Sequence, residues 1–163
     1  MATRWWMLFV IVLLRLAMGY QFQTIASSST HLVENFALSY AEIGTLIGFL
    51  LLPGIVFSVP SGLVTRALAD RTLLLIGCMV MIAGSLVIGL GESVSALYTG
   101  RLLSGIGGAI STVILTKMVT DWFAGYRMIT AMAIMSAAWP GGVGLGLVSQ
   151  GQIADIWGWP WVM

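Results

Sequence analysis

Arg15 places a guanidinium inside a run that is otherwise apolar. It lies about ten residues past Trp5, and at about 1.5 Å per helical residue that is about 15 Å, near the middle of a bilayer. A charge at that depth is expensive, so it faces a bundle interior or a watery cavity. Arg15, Gly19 and Gln23 fall at i, i+4 and i+8 and share one helix face. A cation, a gap and an amide on one face could wall a cavity for a polar or anionic solute. The alternative is an Arg that snorkels to the headgroups or pairs with a neighbouring helix. Arg101 is the second such group, opening Arg101-Leu-Leu-Ser104-Gly105-Ile-Gly107-Gly108-Ala109. Small residues at Ser104 and Gly108, and at Gly105 and Ala109, let another helix approach closely. The alternative partners for Arg101 are Glu92 or a lipid phosphate. Lys117, with Asp121 at i+4, reads as an interfacial pair.

Other chemistry has little to work with. His31 is the single histidine and Cys78 the single cysteine, so a His-based metal site and an intramolecular disulfide are both out of reach. No Ser-His pair, paired mid-span Asp residues or HExxH motif occurs. Gly105-Ile-Gly107-Gly108 lacks the Gly-Lys-Ser/Thr ending of a phosphate loop. We therefore expect no catalytic residues, no cofactor and no metal, and a chain that is not an enzyme. A net charge of +1 implies no nucleic-acid partner.

The elements that must hold these side chains follow from composition. The chain has 163 residues, 59% hydrophobic and 8% charged, with a mean hydropathy of +1.01. A soluble domain is about 25% charged, and this chain could not cover a water-facing surface. It reads as an integral membrane protein, helical because lipid leaves no other partner for backbone polar groups. Five stretches reach the roughly 20 apolar residues that a span requires: about Trp5 to Ser27, Glu42 to Val64, Thr72 to Leu90, Ser95 to Val119, and Met128 to Ser149. A sixth begins at Trp159-Pro160-Trp161. The connections are short, so residues 1–163 form one transmembrane domain with no appended soluble domain. The first segment is a retained span and not a cleaved leader, because Arg15 interrupts its apolar run.

Arg4, Arg66, Arg71, Lys117 and Arg127 fall on one side, while the opposite loops hold His31, Glu34, Glu42, Glu92 and Asp155. That bias places the N-terminus in the cytoplasm. Trp5 and Trp6 then fit the inner aromatic belt and Trp157, Trp159 and Trp161 the outer one. Gly44-Thr-Leu-Ile-Gly48 is a close-packing spacing, as is Gly105 with its neighbours. Pro53, Pro60 and Pro140 would bend their spans. Arg15-Leu-Ala-Met-Gly19 and Arg101-Leu-Leu-Ser-Gly105 both read R-L-x-x-G, 86 residues apart, on helices of opposite direction. An inverted repeat of three plus three helices gives such an echo.

From Arg4 to Trp161 the chain resembles the N-terminal half of a major facilitator superfamily transporter. The residues 60–71 line up with the superfamily's cytoplasmic loop signature. Gly62 is kept, Arg66 stands where an acidic residue is usual, Ala69 replaces a glycine, Asp70 replaces a basic residue and Arg71 is kept. Arg101 to Ala109 is similar to the fourth-helix pattern of Arg, Gly four on, and further small residues. Trp122-Phe123, Arg127, Ala131, the Pro140–Gly144 region and Gly158-Trp159 follow in an order similar to bacterial members. The antiporter Gly-Pro signature is not clearly met, because Pro140 precedes its glycines.

The resemblance implies an all-α membrane fold: five spans and the start of a sixth, the N-terminal six-helix half of a 3+3 inverted repeat. It implies a multi-pass protein of a bacterial cytoplasmic membrane. It also implies a cavity lined by the first and fourth helices and alternating access against a second half. Five spans and a stub would be a truncated half, not a competent transporter alone, with a missing C-terminal half or a second chain as partner beside the lipid bilayer. The expected function is secondary transport of a small polar solute. Arg15 and Arg101, both positive with no acid at their depth, favour an anion. The competing reading is a small helical membrane protein with a structural or partner-binding role, derived from a transporter.

Overall fold

The computed structural model describes residues 2–57 and 69–163. Six helices and a final 3-10 turn make up these residues: α1 (Ala2–Ser27), α2 (Ser29–Phe36), α3 (Tyr40–Phe57), α4 (Asp70–Leu90), α5 (Val94–Phe123), α6 (Met128–Trp157) and the turn Trp159–Val162. Four of the helices are long and apolar enough to cross a membrane, and the α2–α3 pair, bent by 117°, makes a fifth if counted as one span. The protein is a multi-pass helical membrane protein.

Two connections differ from the sequence reading. The first loop holds a helix, α2, because Leu32 packs into a buried cluster with Ile25, Leu38 and Leu97. Ala37 then ends α2 in the left-handed region at φ 52°. Ser39 and Glu42 start α3 with a capping box. Ser39 N and Oγ both donate to Glu42 Oε2 at 2.8 Å, and Glu42 N donates back to Ser39 Oγ at 3.3 Å. The second difference is at α6, which continues through the expected loop Gly151–Gly158 as far as Trp157. His31 Nε2 meets Asp155 Oδ1 at 3.0 Å, holding α2 against this extension. Gly158, at φ 92°, turns the chain into Trp159–Val162.

Helices associate in lipid by close packing and hydrogen bonds, because tails compete for apolar surface. Small residues therefore decide the bundle. α4 and α5 run antiparallel with Gly77 against Gly107 and Ser111, and Gly84 against Gly100 and Ser104. A Cβ at Gly107 would strike the Gly77 carbonyl. α1 and α6 run parallel, with Gly19 under the Trp139 carbonyl and Gly142 under the Leu16 carbonyl. Gln150 Nε2 donates to the Tyr20 carbonyl at 2.7 Å across the same seam. α3 and α5 also run parallel, where Gly105 meets the Leu50 carbonyl and Pro53.

The two R-L-x-x-G helices are thus equivalent: each puts its glycine against a backbone carbonyl of a parallel neighbour. Gly44 and Gly48, expected to be close-packing positions, are exposed, and a Cβ at either would meet nothing within 4 Å. The close approach of α3 is made instead by Leu50 and Pro53 against Gly105.

Candidate functional site

α1 and α6 form one packed unit, and α3, α4 and α5 form the other. Between them lies a cavity of about 170 Å³. Met18 and Gln21 of α1, Leu50 of α3, Ser104 and Thr112 of α5, and Trp139 of α6 form four of its walls, and Met81 of α4 adds a fifth.

Arg15 is not itself a lining residue, but it contacts two that are, Thr112 and Trp139. Its Nη1 donates to Thr112 Oγ1 at 2.8 Å. Its guanidinium carbon lies 4.9 Å from the Trp139 ring centroid, a cation–π distance. Arg15 is half-buried, and among the described residues no carboxylate pairs with it. Its Nε is buried without a partner among the described residues.

Arg101 is 1% exposed and lies behind the cavity, between α5 and α1. Its Nη2 donates to Thr24 Oγ1 at 2.7 Å and its Nη1 to the Gln21 carbonyl at 3.4 Å. No carboxylate pairs with it among the described residues, so neither Glu92 nor any other acid is its partner. Ser104 is buried, lines the cavity and donates to the Met81 carbonyl at 3.4 Å. Gly108 also lines it, with only Met18 Cε near a notional Cβ, at 4.0 Å.

Gly19 and Gln23 require a correction. Both positions are covered by α6 and line no part of the cavity. Gly19 sits under Trp139, and the Gln23 Cβ packs 3.0 Å from where a Gly146 Cβ would lie. The small and polar spacing that suggested a cavity is what admits the backbone of α6. The cavity is reached by the neighbouring stripe, Met18 and Gln21. Gln21 Nε2 bonds to Ser85 Oγ and, at 3.4 Å, to Ser104 Oγ.

Sequence reasoning missed Gln21, Thr24, Thr112 and Trp139. Each carried a signal. Three are polar residues within spans, and Trp139 is an indole far from either interfacial belt.

Of the loop motif, Gly62 and Arg66 lie outside the described residues. Arg71 is exposed. Asp70, in the first turn of α4, receives Lys117 Nζ at 2.7 Å on Oδ1 and 2.6 Å on Oδ2. The expected i,i+4 partner Asp121 is farther, at 3.5 Å. The sequence pair exists, but the tertiary one is tighter.

The R-L-x-x-G motif recurs 86 residues apart, each time with its glycine against a backbone carbonyl of a parallel helix. The family model described as "Major Facilitator Superfamily" matches residues 4–163. The chain belongs to the major facilitator superfamily. It is 34% identical over 98 residues to "Solute carrier family 2, facilitated glucose transporter member 10" of Mus musculus, covering 60% of this chain and 18% of that protein. Against the Homo sapiens protein of the same description it is 26% identical over 145 residues, 88% of this chain and 27% of the relative. "Protein SGE1" of Saccharomyces cerevisiae is 29% identical over 126 residues, 75% of this chain and 22% of that protein. The chain thus matches between 18% and 27% of the length of these relatives. Its helices are consistent with half of a major facilitator fold.

Proposed function

We propose that the cavity between α1, α3, α5 and α6 is one wall of the solute site of a secondary transporter for a small polar, preferentially anionic solute. The observation that carries this is Arg15. It is a guanidinium at span depth with no carboxylate partner among the described residues, set on two side chains that line the cavity, Thr112 and Trp139. A charge so placed is better offset by a ligand than left alone. Ser104 and Gly108 complete the wall, and Arg101 supports it from behind through α1. Alternating access needs two bundles, so transport belongs to an assembly of this bundle with a second one. The N-terminus lies in the cytoplasm, following the distribution of Lys and Arg.

The test is uptake into vesicles by the complete transporter, comparing small organic anions, organic cations and neutral sugars. Anion uptake that falls strongly in Arg15→Gln supports the reading. A preference for cations, or unchanged anion uptake in that variant, removes it.

A further inference from the structure

A second hollow, a groove of about 750 Å³, runs between α1 and α4. Its lining is mainly apolar, with Leu14, Ala17 and Met18 on α1 and Ile82 and Leu86 on α4. Pro160 and Trp161 of the last turn also line it, as does Met163.

The internal repeat defines what this groove lacks. α5 packs through two faces. Gly105 meets a carbonyl of the parallel helix α3, while Gly100, Ser104 and Gly107 receive the antiparallel helix α4. α1 has the counterpart of the first face: Gly19, 86 residues before Gly105, meets a carbonyl of the parallel helix α6. The counterparts of Gly100, Ser104 and Gly107, again 86 residues earlier, are Leu14, Met18 and Gln21. All three line the groove. The face of α1 that corresponds to the seat of α4 on α5 is thus the open one. Helices in lipid gain by close approach through small residues. α1 carries large residues on this face, so the small ones have to come from whatever packs against it.

We infer that the groove seats an apolar helix formed by the segment that follows Met163 in the complete transporter. That helix runs antiparallel to α1, as α4 does to α5, and turns glycine, alanine or serine toward Leu14, Met18 and Gln21. The last turn already brings the chain to the groove, and the chain matches only 18% to 27% of the length of its relatives. Met18, Gln21 and Met81 line both the groove and the solute cavity, so the helix backs the cavity through these three side chains.

Cys78, the native thiol, lines the groove and serves as the probe. In the complete transporter, single cysteines are placed in turn at each of the roughly 20 residues after Met163, the length of a span. Oxidation with copper phenanthroline forms disulfides where Cα atoms lie within about 7 Å, and mass spectrometry locates them. Disulfides to Cys78 should recur every third or fourth position, the helical period. A second scan, with Cys78→Ser and Ala17→Cys, should pick out a different stripe made of small residues. A stripe of large residues facing Ala17→Cys overturns the proposal. So does the absence of disulfides to either probe in chains whose thiols all label once denatured. Disulfides between two chains, seen as a dimer band, would seat a second copy in the groove and overturn it as well. A reading frame that closes at Met163 does the same.

Discussion

Arg101 Nη2 donates to Thr24 Oγ1 at 2.7 Å, from α5 to α1. Arg15 Nη1 returns the same kind of bond, from α1 to Thr112 Oγ1 on α5, at 2.8 Å. The two antiparallel helices that share R-L-x-x-G each send a guanidinium to a threonine of the other. This reciprocity is the inverted repeat expressed in side chains, and it ties together two helix units that otherwise meet around a cavity.

The Arg101–Thr24 bond should be worth more to break from one side than from both. In Thr24→Val the buried guanidinium keeps, among the described residues, only the Gln21 carbonyl, so a cost of about 1–3 kcal/mol is expected. Adding Arg101→Leu to Thr24→Val should return part of that stability, since no buried charge is then left unmatched. Reversible unfolding in mixed detergent measures both. A double variant clearly weaker than Thr24→Val would show that the charge itself is stabilising.

Glycines that look alike in the sequence should respond oppositely. Gly107→Ala drives a Cβ into the Gly77 carbonyl and should loosen α4 from α5, at a cost of about 1–3 kcal/mol as for other overpacked positions. Gly44→Ala meets nothing and should be neutral or stabilising by about 0.5–1 kcal/mol. The same unfolding assay ranks them.

Lys117 bridges Asp70 and Asp121 where all three are partly exposed. Asp70→Asn should therefore cost only about 1 kcal/mol or less. The loss should shrink as salt is raised, because exposed pairs are screened. Asp121→Asn should matter less still, its oxygen being 3.5 Å away. A salt-independent penalty for Asp70→Asn would mean that the pair is sequestered from water.

Orientation can be read with single cysteines on a Cys78→Ser background, since Cys78 is the native thiol. A cysteine at Glu92 should react with an impermeant maleimide added outside intact cells. One at Arg127 should react only after permeabilisation. The reverse pattern would invert the topology.

The sequence by itself determined that the chain is a helical membrane protein, about where its spans fall, and that its two halves echo each other. It could do so because lipid removes alternatives: an apolar run of span length has to satisfy its own backbone, and helix is the way to do it. It also exposed Arg15 and Arg101, because charge within an apolar run needs no structure to be conspicuous. Short-range signals went further than they were taken, as with Ser39 and Glu42, whose S-x-x-E spacing starts α3.

Which face of a helix meets which neighbour was decided only by tertiary structure. Arg15, Gly19 and Gln23 share a stripe, yet a stripe of small residues reads the same whether it lines a cavity or receives a helix. The backbone of α6 fills it, and the cavity opens one position round, at Met18 and Gln21. Lys117 took Asp70, 47 residues away in sequence, over Asp121 one turn on, because the α4–α5 crossing brings it closer. The 3.6-residue period fixes which side chains point together, but the partner they point at depends on how glycine-lined surfaces pair, a property of several helices at once.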